Sequence, residues 1–281
     1  MVVKLDSDWR NWLAENVDRG CRVETIVSAM VGAGFEETAA DSAVKRALGG
    51  ETARPIAPEP NPEYVYDECP VPSDNIIHAH DREVRVLTRV RRPQVVLFGD
   101  VLSADECDRM VERSRHRLKR STTVNGATGA DETIANRTSE GTVFQRGEDE
   151  FIDRLDRRTS ALMNSPLDHG EGLQILRYGV GGEYRPHFDY FPPEDPGSWQ
   201  HVATAGQRVS TLIVYLNEVE AGGATAFPEA GLSVTPKKGD ALYFRYRNGV
   251  GQLDPLTRHC GEPVIAGEKW IMTKWMRLRA F

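Results

Sequence analysis

The sequence predicts a mainly β fold with flanking helices: a double-stranded β-helix, or jelly roll, preceded by a small N-terminal helical unit. The composition is that of a globular chain, with 281 residues of which 40% are hydrophobic and 27% charged. From Leu173 onward, short apolar runs alternate with glycine-containing turns, and no helical pattern intervenes. A proline-rich stretch separates the first helical patterns from the rest of the chain.

Residues 1–50 are predicted to form three short amphipathic helices. The apolar residues at helical spacing are Trp9, Trp12, Leu13 and Val17 in the first helix, and Val23, Ile26, Val27 and Met30 in the second. The third helix is expected over residues 36–48, where two glycines end it. Because so small a unit buries little surface alone, we expect an accessory cap that docks onto the main domain or onto a protein partner.

Residues 51–75 are predicted to be an extended linker, and residues 76–281 the main domain. The linker holds six prolines, which disfavour both helix and central strand.

The first part of the main domain is predicted to contain one strand, two helices and a long loop. The strand is expected at 94–98, and Ser103 with Glu106 forms a capping box that starts the first helix. The apolar residues of the two helices are Cys107, Met110, Val111 and Leu118, then Phe151, Ile152, Leu155 and Leu162. The polar stretch 121–138 is too long for an ordinary connection, which indicates a lid or a binding loop.

Eight short strands are predicted in the last part of the chain. They span about 173–179, 183–189, 208–216, 224–227, 232–235, 241–246, 256–260 and 269–278. A jelly roll packs such strands into two stacked sheets, and we expect a metal site inside its open end.

His187 and Asp189 are the first candidate site residues. Residues i and i+2 of an extended strand point to the same face, so the imidazole and the carboxylate are expected side by side. With His259 as third ligand they would complete a 2-His-1-carboxylate set, which holds non-haem Fe(II) and leaves positions open. The pair alone is weak evidence, since 7 His and 42 acidic residues give about one such pair by chance, and His169 with Glu171 is a second one. The alternative for His187 is a hydrogen-bonded histidine near a sheet edge.

Lys269 follows His259 across a connection that contains two glycines and a proline, so the two side chains are expected close together. A cation beside an iron site suits 2-oxoglutarate, which chelates iron at one end and needs its distal carboxylate paired. The alternative for Lys269 is a surface charge at a strand edge.

Several ordered motifs resemble the Fe(II)/2-oxoglutarate-dependent dioxygenases of the prolyl 4-hydroxylase α-subunit catalytic-domain type. They are Arg137-Thr138-Ser139-Glu140-Gly141-Thr142, Tyr178-x5-Tyr184-x2-His187-x-Asp189, Gly206-Gln207-Arg208, Gly222-Gly223-Ala224-Thr225, and His259 with Gly267-Glu268-Lys269-Trp270 and Lys274-Trp275. The resemblance begins near Gln94 and leaves residues 1–75 outside. Near Arg277 the chain departs from relatives that have histidine, which puts the target in question.

The resemblance implies a role for each matching residue. It assigns Fe(II) to His187, Asp189 and His259, the catalytic residues. It assigns 2-oxoglutarate to Lys269, Tyr178 and Thr225, and substrate contacts to Tyr184, Arg208 and Trp275. It also implies that the loop from Ser121 to Arg137 folds over bound peptide and that ascorbate rescues oxidised iron. The implied reaction is the hydroxylation of a prolyl residue in a peptide or protein, with conversion of O2 and 2-oxoglutarate to succinate and CO2.

Two other functions are compatible with the residues: a 2-oxoglutarate oxygenase that acts on a free amino acid or another protein side chain, and a jelly-roll binding module without activity. A net charge of −7 without a long basic run disfavours nucleic acid as a partner, although such a net charge is compatible with a local basic groove. No apolar run approaches the ~18 residues of a membrane span. Four scattered cysteines and a polar N-terminus lead us to expect a cytoplasmic protein.

Overall fold

The computed structural model describes Leu5 and residues 7–18, 23–48, 63–134 and 137–281. The chain divides into two compact units, Met1–Glu63 and Tyr64–Phe281. Residues 51–62 of the predicted linker lie outside the described residues. Residues 64–75, which the prediction placed in the linker, belong to the second unit because Asp67 forms an ion pair of 2.5 Å with Arg245 and its carbonyl accepts a hydrogen bond from Gln94.

The first unit contains the three predicted helices. They are α1 (Ser7–Asp18), α2 (Val23–Gly32) and α3 (Glu37–Leu48). The described buried hydrophobic residues of this unit are Leu13, Ile26, Met30, Phe35, Ala40, Ala43 and Val44, of which Phe35 lies in the connection between α2 and α3. Trp9 packs edge-on against both Trp12 and Phe35, with ring centroids 5.2 and 4.9 Å apart. The apolar spacing read from the sequence therefore forms a small core of its own.

In its described residues the second unit is mainly antiparallel sheet with three α-helices, which confirms the predicted jelly-roll class. The helices are α4 (Ala104–Arg115), α5 (Glu150–Leu162) and α6 (Ser198–Ala203). The strands are β1 (Ile76–Ala79), β2 (Arg82–Val90), β3 (Gln94–Gly99), β4 (Lys119–Arg120), β5 (Thr123–Val124), β6 (Asp131–Glu132), β7 (Glu140–Phe144), β8 (Leu173–Tyr178), β9 (Tyr184–His187), β10 (Arg208–Tyr215), β11 (Ala221–Gly222), β12 (Thr225–Phe227), β13 (Leu232–Val234), β14 (Ala241–Arg245), β15 (His259–Gly261), β16 (Val264–Ala266) and β17 (Lys269–Arg277).

Two sheets carry the architecture. The larger has nine strands in the order β1-β2-β3-β14-β10-β17-β8-β7-β4, and the smaller has four in the order β13-β12-β15-β9. Alternate residues of the large sheet serve two different cores, as the period of two requires. On β10, for example, Leu212 and Val214 pack in the core that contains the α4 and α5 side chains, whereas Ile213 and Tyr215 pack in the core that contains small-sheet residues.

Each of the eight predicted strands has a counterpart, with some shifted ends. β9 ends at His187 rather than at Asp189, and a 3-10 turn at Pro255–Thr257 replaces the first half of the strand predicted at 256–260. The Ser103–Glu106 capping box is present, but α4 ends before Leu118 because the amide of His116 closes the helix onto Ser114. The hairpin of β1 and β2 and the short strands β4–β7, β11 and β16 were not predicted. In the part of the chain that the structure describes, no helix has the length and apolarity needed to cross a membrane.

Candidate metal and co-substrate site

A cavity of 710 Å³ lies between the two sheets, and all nine predicted site residues line it. They are Tyr178, Tyr184, His187, Asp189, Arg208, Thr225, His259, Lys269 and Trp275. Strand pairing explains part of this convergence. His187 on β9 faces His259 on β15, and Lys269 on β17 faces Tyr178 on β8. The histidine of the competing pair is not part of the site: Nδ1 of His169 is hydrogen-bonded at 3.1 Å to the Arg277 carbonyl, and His169 does not line the cavity, whereas Glu171 does.

His187, Asp189 and His259, here called the metal triad, offer three ligand atoms within 4.8 Å of one another. Nε2 of His187 lies 3.6 Å from one Asp189 oxygen, and Nε2 of His259 lies 3.8 Å from the other. The two imidazole centroids are 4.4 Å apart. Two imidazoles and one carboxylate at this spacing fit a divalent first-row metal with open coordination positions.

Backbone carbonyls set the tautomer of both histidines in the metal triad. Nδ1 of His187 lies 2.8 Å from the Arg185 carbonyl, and Nδ1 of His259 lies 3.1 Å from the Thr257 carbonyl. A carbonyl can only accept, so each Nδ1 carries the proton and each Nε2 keeps its lone pair for a metal. Burial, followed by the neighbouring His187, lowers the pKa of His259 to about 4, which keeps this ligand neutral at ordinary pH.

Asp189 lies beyond the end of β9, so its position does not follow from the strand geometry that predicted it. Two contacts from β10 hold it instead. The Thr211 hydroxyl donates a hydrogen bond of 2.6 Å to Oδ2 of Asp189, and Arg208 donates one of 3.3 Å to its carbonyl. Burial alone would raise the pKa of Asp189, but the His259 and His187 imidazoles reverse this effect and hold it far below its ordinary value. The carboxylate is therefore charged and held in place.

Lys269 is a buried cation, with 3% of its surface exposed, rather than a strand-edge charge. Among the described residues no carboxylate forms an ion pair with it, and burial lowers its pKa from 10.5 to about 8. Its Nζ lies 5.8 Å from the Tyr178 ring centroid and 5.9 Å from that of Tyr215. A buried ammonium without a counter-charge is costly, so this end of the cavity favours an anionic ligand.

Tyr215 is a residue of this region that the sequence did not single out. Its hydroxyl donates a hydrogen bond of 3.0 Å to Oγ1 of Thr225, and its side chain is fully buried. The sequence spacing could have identified it, because residues two apart on a strand share a face and Tyr215 therefore lies on the same face of β10 as the buried Ile213. The hydrogen bond fixes the orientation of the Thr225 hydroxyl, which faces the cavity.

Tyr184, Arg208 and Trp275 line the same cavity, and Arg208 with Trp275 forms what is here called the wall. The Tyr184 ring stacks on His187 with a centroid distance of 3.5 Å and an interplanar angle of 19°. The Arg208 guanidinium lies 3.8 Å from the Trp275 ring centroid and binds both oxygens of Glu171, at 2.7 and 2.8 Å. Glu171, which the sequence offered only as half of a chance pair, is thus the partner that orients Arg208.

Two loops contribute residues to the same cavity. Loop A is residues 121–134, the first part of the predicted lid. Loop B is residues 191–207, which includes α6 and was not predicted to have a role. The amide of Gly197 donates a hydrogen bond of 2.7 Å to the Gly126 carbonyl, and Nε2 of His201 lies 2.8 Å from the Gly129 carbonyl. A Cβ on Gly197 would lie 2.2 Å from the Gly129 nitrogen, so the close contact between the loops requires glycine.

Comparison with known proteins gives one consistent family. Residues 173–277 match the family model of the 2OG-Fe(II) oxygenase superfamily. The chain is 38% identical to a probable prolyl 4-hydroxylase 3 of Arabidopsis thaliana over 66% of its own length and 70% of that protein. It is also 38% identical to prolyl 4-hydroxylase subunit alpha-1 of Mus musculus, of which it spans 35%.

Among solved structures, a viral collagen prolyl hydroxylase from Paramecium Bursaria Chlorella virus-1, in its 2OG complex, is similar to this chain. The sequence identity is 30% and the TM-score is 0.52, and the match covers 65% of this chain and 94% of the viral one. Residues 173–277, which the family model matches, contain all nine predicted site residues.

Proposed function

The chain belongs to the prolyl 4-hydroxylase family of 2OG-Fe(II) oxygenases, and from that premise we propose that it hydroxylates a prolyl residue in a peptide or protein. One oxygen atom of O2 enters the prolyl C–H bond, which becomes C–OH. The other enters 2-oxoglutarate, which loses CO2 and becomes succinate. The observation that carries the proposal is the presence, in one cavity, of the metal triad and of a buried lysine with which no described carboxylate forms an ion pair.

In this proposal the metal triad holds Fe(II) through Nε2 of His187, Nε2 of His259 and one oxygen of Asp189. The donor set fits the metal because both Nδ1 atoms are hydrogen-bonded to carbonyls and Thr211 engages one carboxylate oxygen. Bound iron would supply the O2 chemistry. The protein residues orient the ligands and keep the site dry, since His259 and Asp189 are nearly buried.

Lys269, Tyr178 and Thr225 would bind 2-oxoglutarate. The Lys269 ammonium would pair with the distal carboxylate, which restores charge balance in a buried region. The Thr225 hydroxyl, held by Tyr215, and the Tyr178 hydroxyl would complete the polar contacts. Binding would thus draw part of its free energy from pairing a buried ammonium that has no ion pair with any described carboxylate.

Tyr184, Arg208 and Trp275 would contact the substrate. Aromatic walls suit the apolar ring of proline, and an extended polyproline conformation is ordered before binding, so less entropy is lost. We propose ring carbon 4 as the hydroxylated position, in keeping with the prolyl 4-hydroxylase names of the relatives.

Three further parts of the proposal rest on sequence reasoning. Ascorbate would rescue iron that is oxidised in turnover without substrate. The protein would act in the cytoplasm, in keeping with cysteines that lack paired spacing and with Cys69, Cys107 and Cys260 being free thiols. The N-terminal helices would bind a protein partner or the substrate protein.

The test is mass spectrometry of candidate substrates after incubation with Fe(II), 2-oxoglutarate and O2. Proline-rich peptides should gain one oxygen on a prolyl ring, whereas free proline and other free amino acids should not. A reaction restricted to a free amino acid, or to a non-prolyl side chain, would overturn the prolyl-peptide assignment. Absence of 2-oxoglutarate consumption with every substrate would favour the inactive binding module.

A further inference from the structure

Arg277, at the end of β17, has a structural environment that the reaction itself does not explain. It is one of the most buried charged residues, with 4% of its surface exposed, and it does not line the cavity. Its guanidinium donates a hydrogen bond of 3.2 Å to Glu171 and another to the His201 carbonyl of α6. It also lies 5.1 Å from the Phe191 ring centroid. Arg277 therefore bridges the strand end and loop B.

Loop B is closed at its base around Phe191. The Gln207 side chain accepts a hydrogen bond of 2.8 Å from the Phe191 amide and donates one of 2.6 Å to its carbonyl. The Phe191 ring stacks on His201, with a centroid distance of 5.1 Å and an interplanar angle of 9°. The base of the loop and its helix are thus held together, and Arg277 attaches this unit to the large sheet.

The carboxylate that receives Arg277 is also the one that orients Arg208 on Trp275. Burial alone would raise the pKa of Glu171, but Arg208 and then Arg277 outweigh it, so the pKa lies below its ordinary value and Glu171 stays charged. Arg208 also lies 4.9 Å from the Phe191 ring centroid. Loop B and the wall are therefore linked through Glu171 and through the contact of Arg208 with Phe191, and a movement of either one perturbs the contacts of the other.

We propose that Arg277 is a positioning residue that holds loop B closed and thereby fixes the Arg208–Trp275 wall for the peptide substrate. The substrate part of this inference rests on the proposed prolyl hydroxylase function. A planar guanidinium suits the task, because its separate N–H groups reach a carboxylate and a carbonyl while its face covers an aromatic ring. The point charge of a lysine cannot make these three contacts together.

Hydrogen exchange of the full-length protein without substrate tests the anchoring step. Arg277→Gln and Arg277→Lys should both speed exchange at the amides of residues 195–203, and the amides of β10 and β17 should keep wild-type rates. The matched control is Arg157→Gln, which removes an exposed arginine on α5 that pairs with Asp153 at 2.7 Å. Wild-type exchange in both Arg277 variants, or equal acceleration in the control, would overturn the anchor.

Steady-state kinetics then test the link to substrate. If loop B fixes the wall, the peptide KM of Arg277→Gln should rise by roughly tenfold, the loss of one charge-assisted contact. The KM for 2-oxoglutarate in turnover without peptide should stay within about twofold, a separation that general damage to the fold would not produce. Faster exchange with an unchanged peptide KM would overturn the link. If the wild-type enzyme hydroxylates no prolyl peptide, the proposed function fails, and the exchange experiment still decides the anchor.

Discussion

Replacing Lys269 by methionine should weaken 2-oxoglutarate binding and stabilise the free protein at the same time. Methionine has a similar length but no charge, so it removes the distal carboxylate partner. A hydrogen bond to a charged group contributes about 1.5–3 kcal/mol. That loss corresponds to a rise in the 2-oxoglutarate KM of roughly 10- to 100-fold. Affinity for the metal should be nearly unchanged, because Lys269 is not a member of the metal triad.

The gain in stability follows from the burial of the ammonium. Its pKa is lowered from 10.5 to about 8, and at about 1.4 kcal/mol per pKa unit the charged form costs the fold on the order of 3 kcal/mol. Proton linkage gives the direction of the pH dependence. Below pH 8 Lys269 is protonated in both the folded and the unfolded protein, so burial of the ammonium destabilises the fold by the full amount. Between pH 8 and 10.5 the unfolded chain holds more protons, so the stability of the wild-type protein rises with pH. Lys269→Met should lose this pH dependence.

Two assays check this prediction. Thermal unfolding at pH 7 without ligand should give a Tm for Lys269→Met that is higher by roughly 5–10 °C, and added 2-oxoglutarate should raise the Tm of the wild-type protein only. Kinetics at varied 2-oxoglutarate give the two KM values. An unchanged 2-oxoglutarate KM in Lys269→Met would mean that another cation binds the distal carboxylate. An unchanged or lower Tm would mean that burial of the Lys269 ammonium does not destabilise the folded protein.

Three other predictions follow from the site. Alanine at any member of the metal triad should abolish turnover and Mn(II) binding, whereas His169→Ala should retain both; equal losses would contradict the triad. Thr211→Val should weaken Mn(II) affinity by about 10- to 100-fold, because Asp189 loses the hydrogen bond that orients it. Thr211→Ser, which keeps the hydroxyl, should bind Mn(II) nearly as the wild type does. Equal Mn(II) affinities of Thr211→Val and the wild type would show that this hydrogen bond does not support the metal site. A chain that begins at Tyr64 should fold and consume 2-oxoglutarate but bind a protein partner less well. A chain that begins at Ile76 should unfold at a lower urea concentration, because it lacks the ion pair of Asp67 with Arg245. If neither chain folds, the N-terminal helices are part of the catalytic core.

Features that depend on neighbouring residues were predictable from the sequence. The capping box of Ser103 and Glu106 formed as predicted because both partners lie within one helical turn. The eight strands followed from apolar runs between turn residues, and the period of two placed Ile213 and Tyr215 on one face of β10. Local chemistry therefore sufficed for most of the elements and for the class of fold.

Features that depend on contacts distant in sequence were not predictable. Asp189 was expected beside His187 because both were placed on one strand, but the strand ends at His187 and Thr211 of the other sheet holds the carboxylate. Glu171 precedes β8 and Arg208 begins β10, and β17 separates these two strands in the sheet, so their pairing joins distant parts of the chain. The spacing and composition of the sequence do not predict contacts between residues that are far apart in the chain. The sequence thus identified the reactive groups, and the tertiary structure supplied the residues that orient them.

The measurement that most directly tests the central claim is the fate of labelled oxygen. The wild-type enzyme would be incubated with Fe(II), 2-oxoglutarate, a proline-rich peptide and oxygen-18 gas, with His259→Ala as the control. Mass spectrometry should find one labelled oxygen on a prolyl ring for each labelled succinate, and neither product in the control. Hydroxyproline that carries oxygen from water, or equal product from His259→Ala, would contradict the assignment of this cavity as a prolyl hydroxylase site.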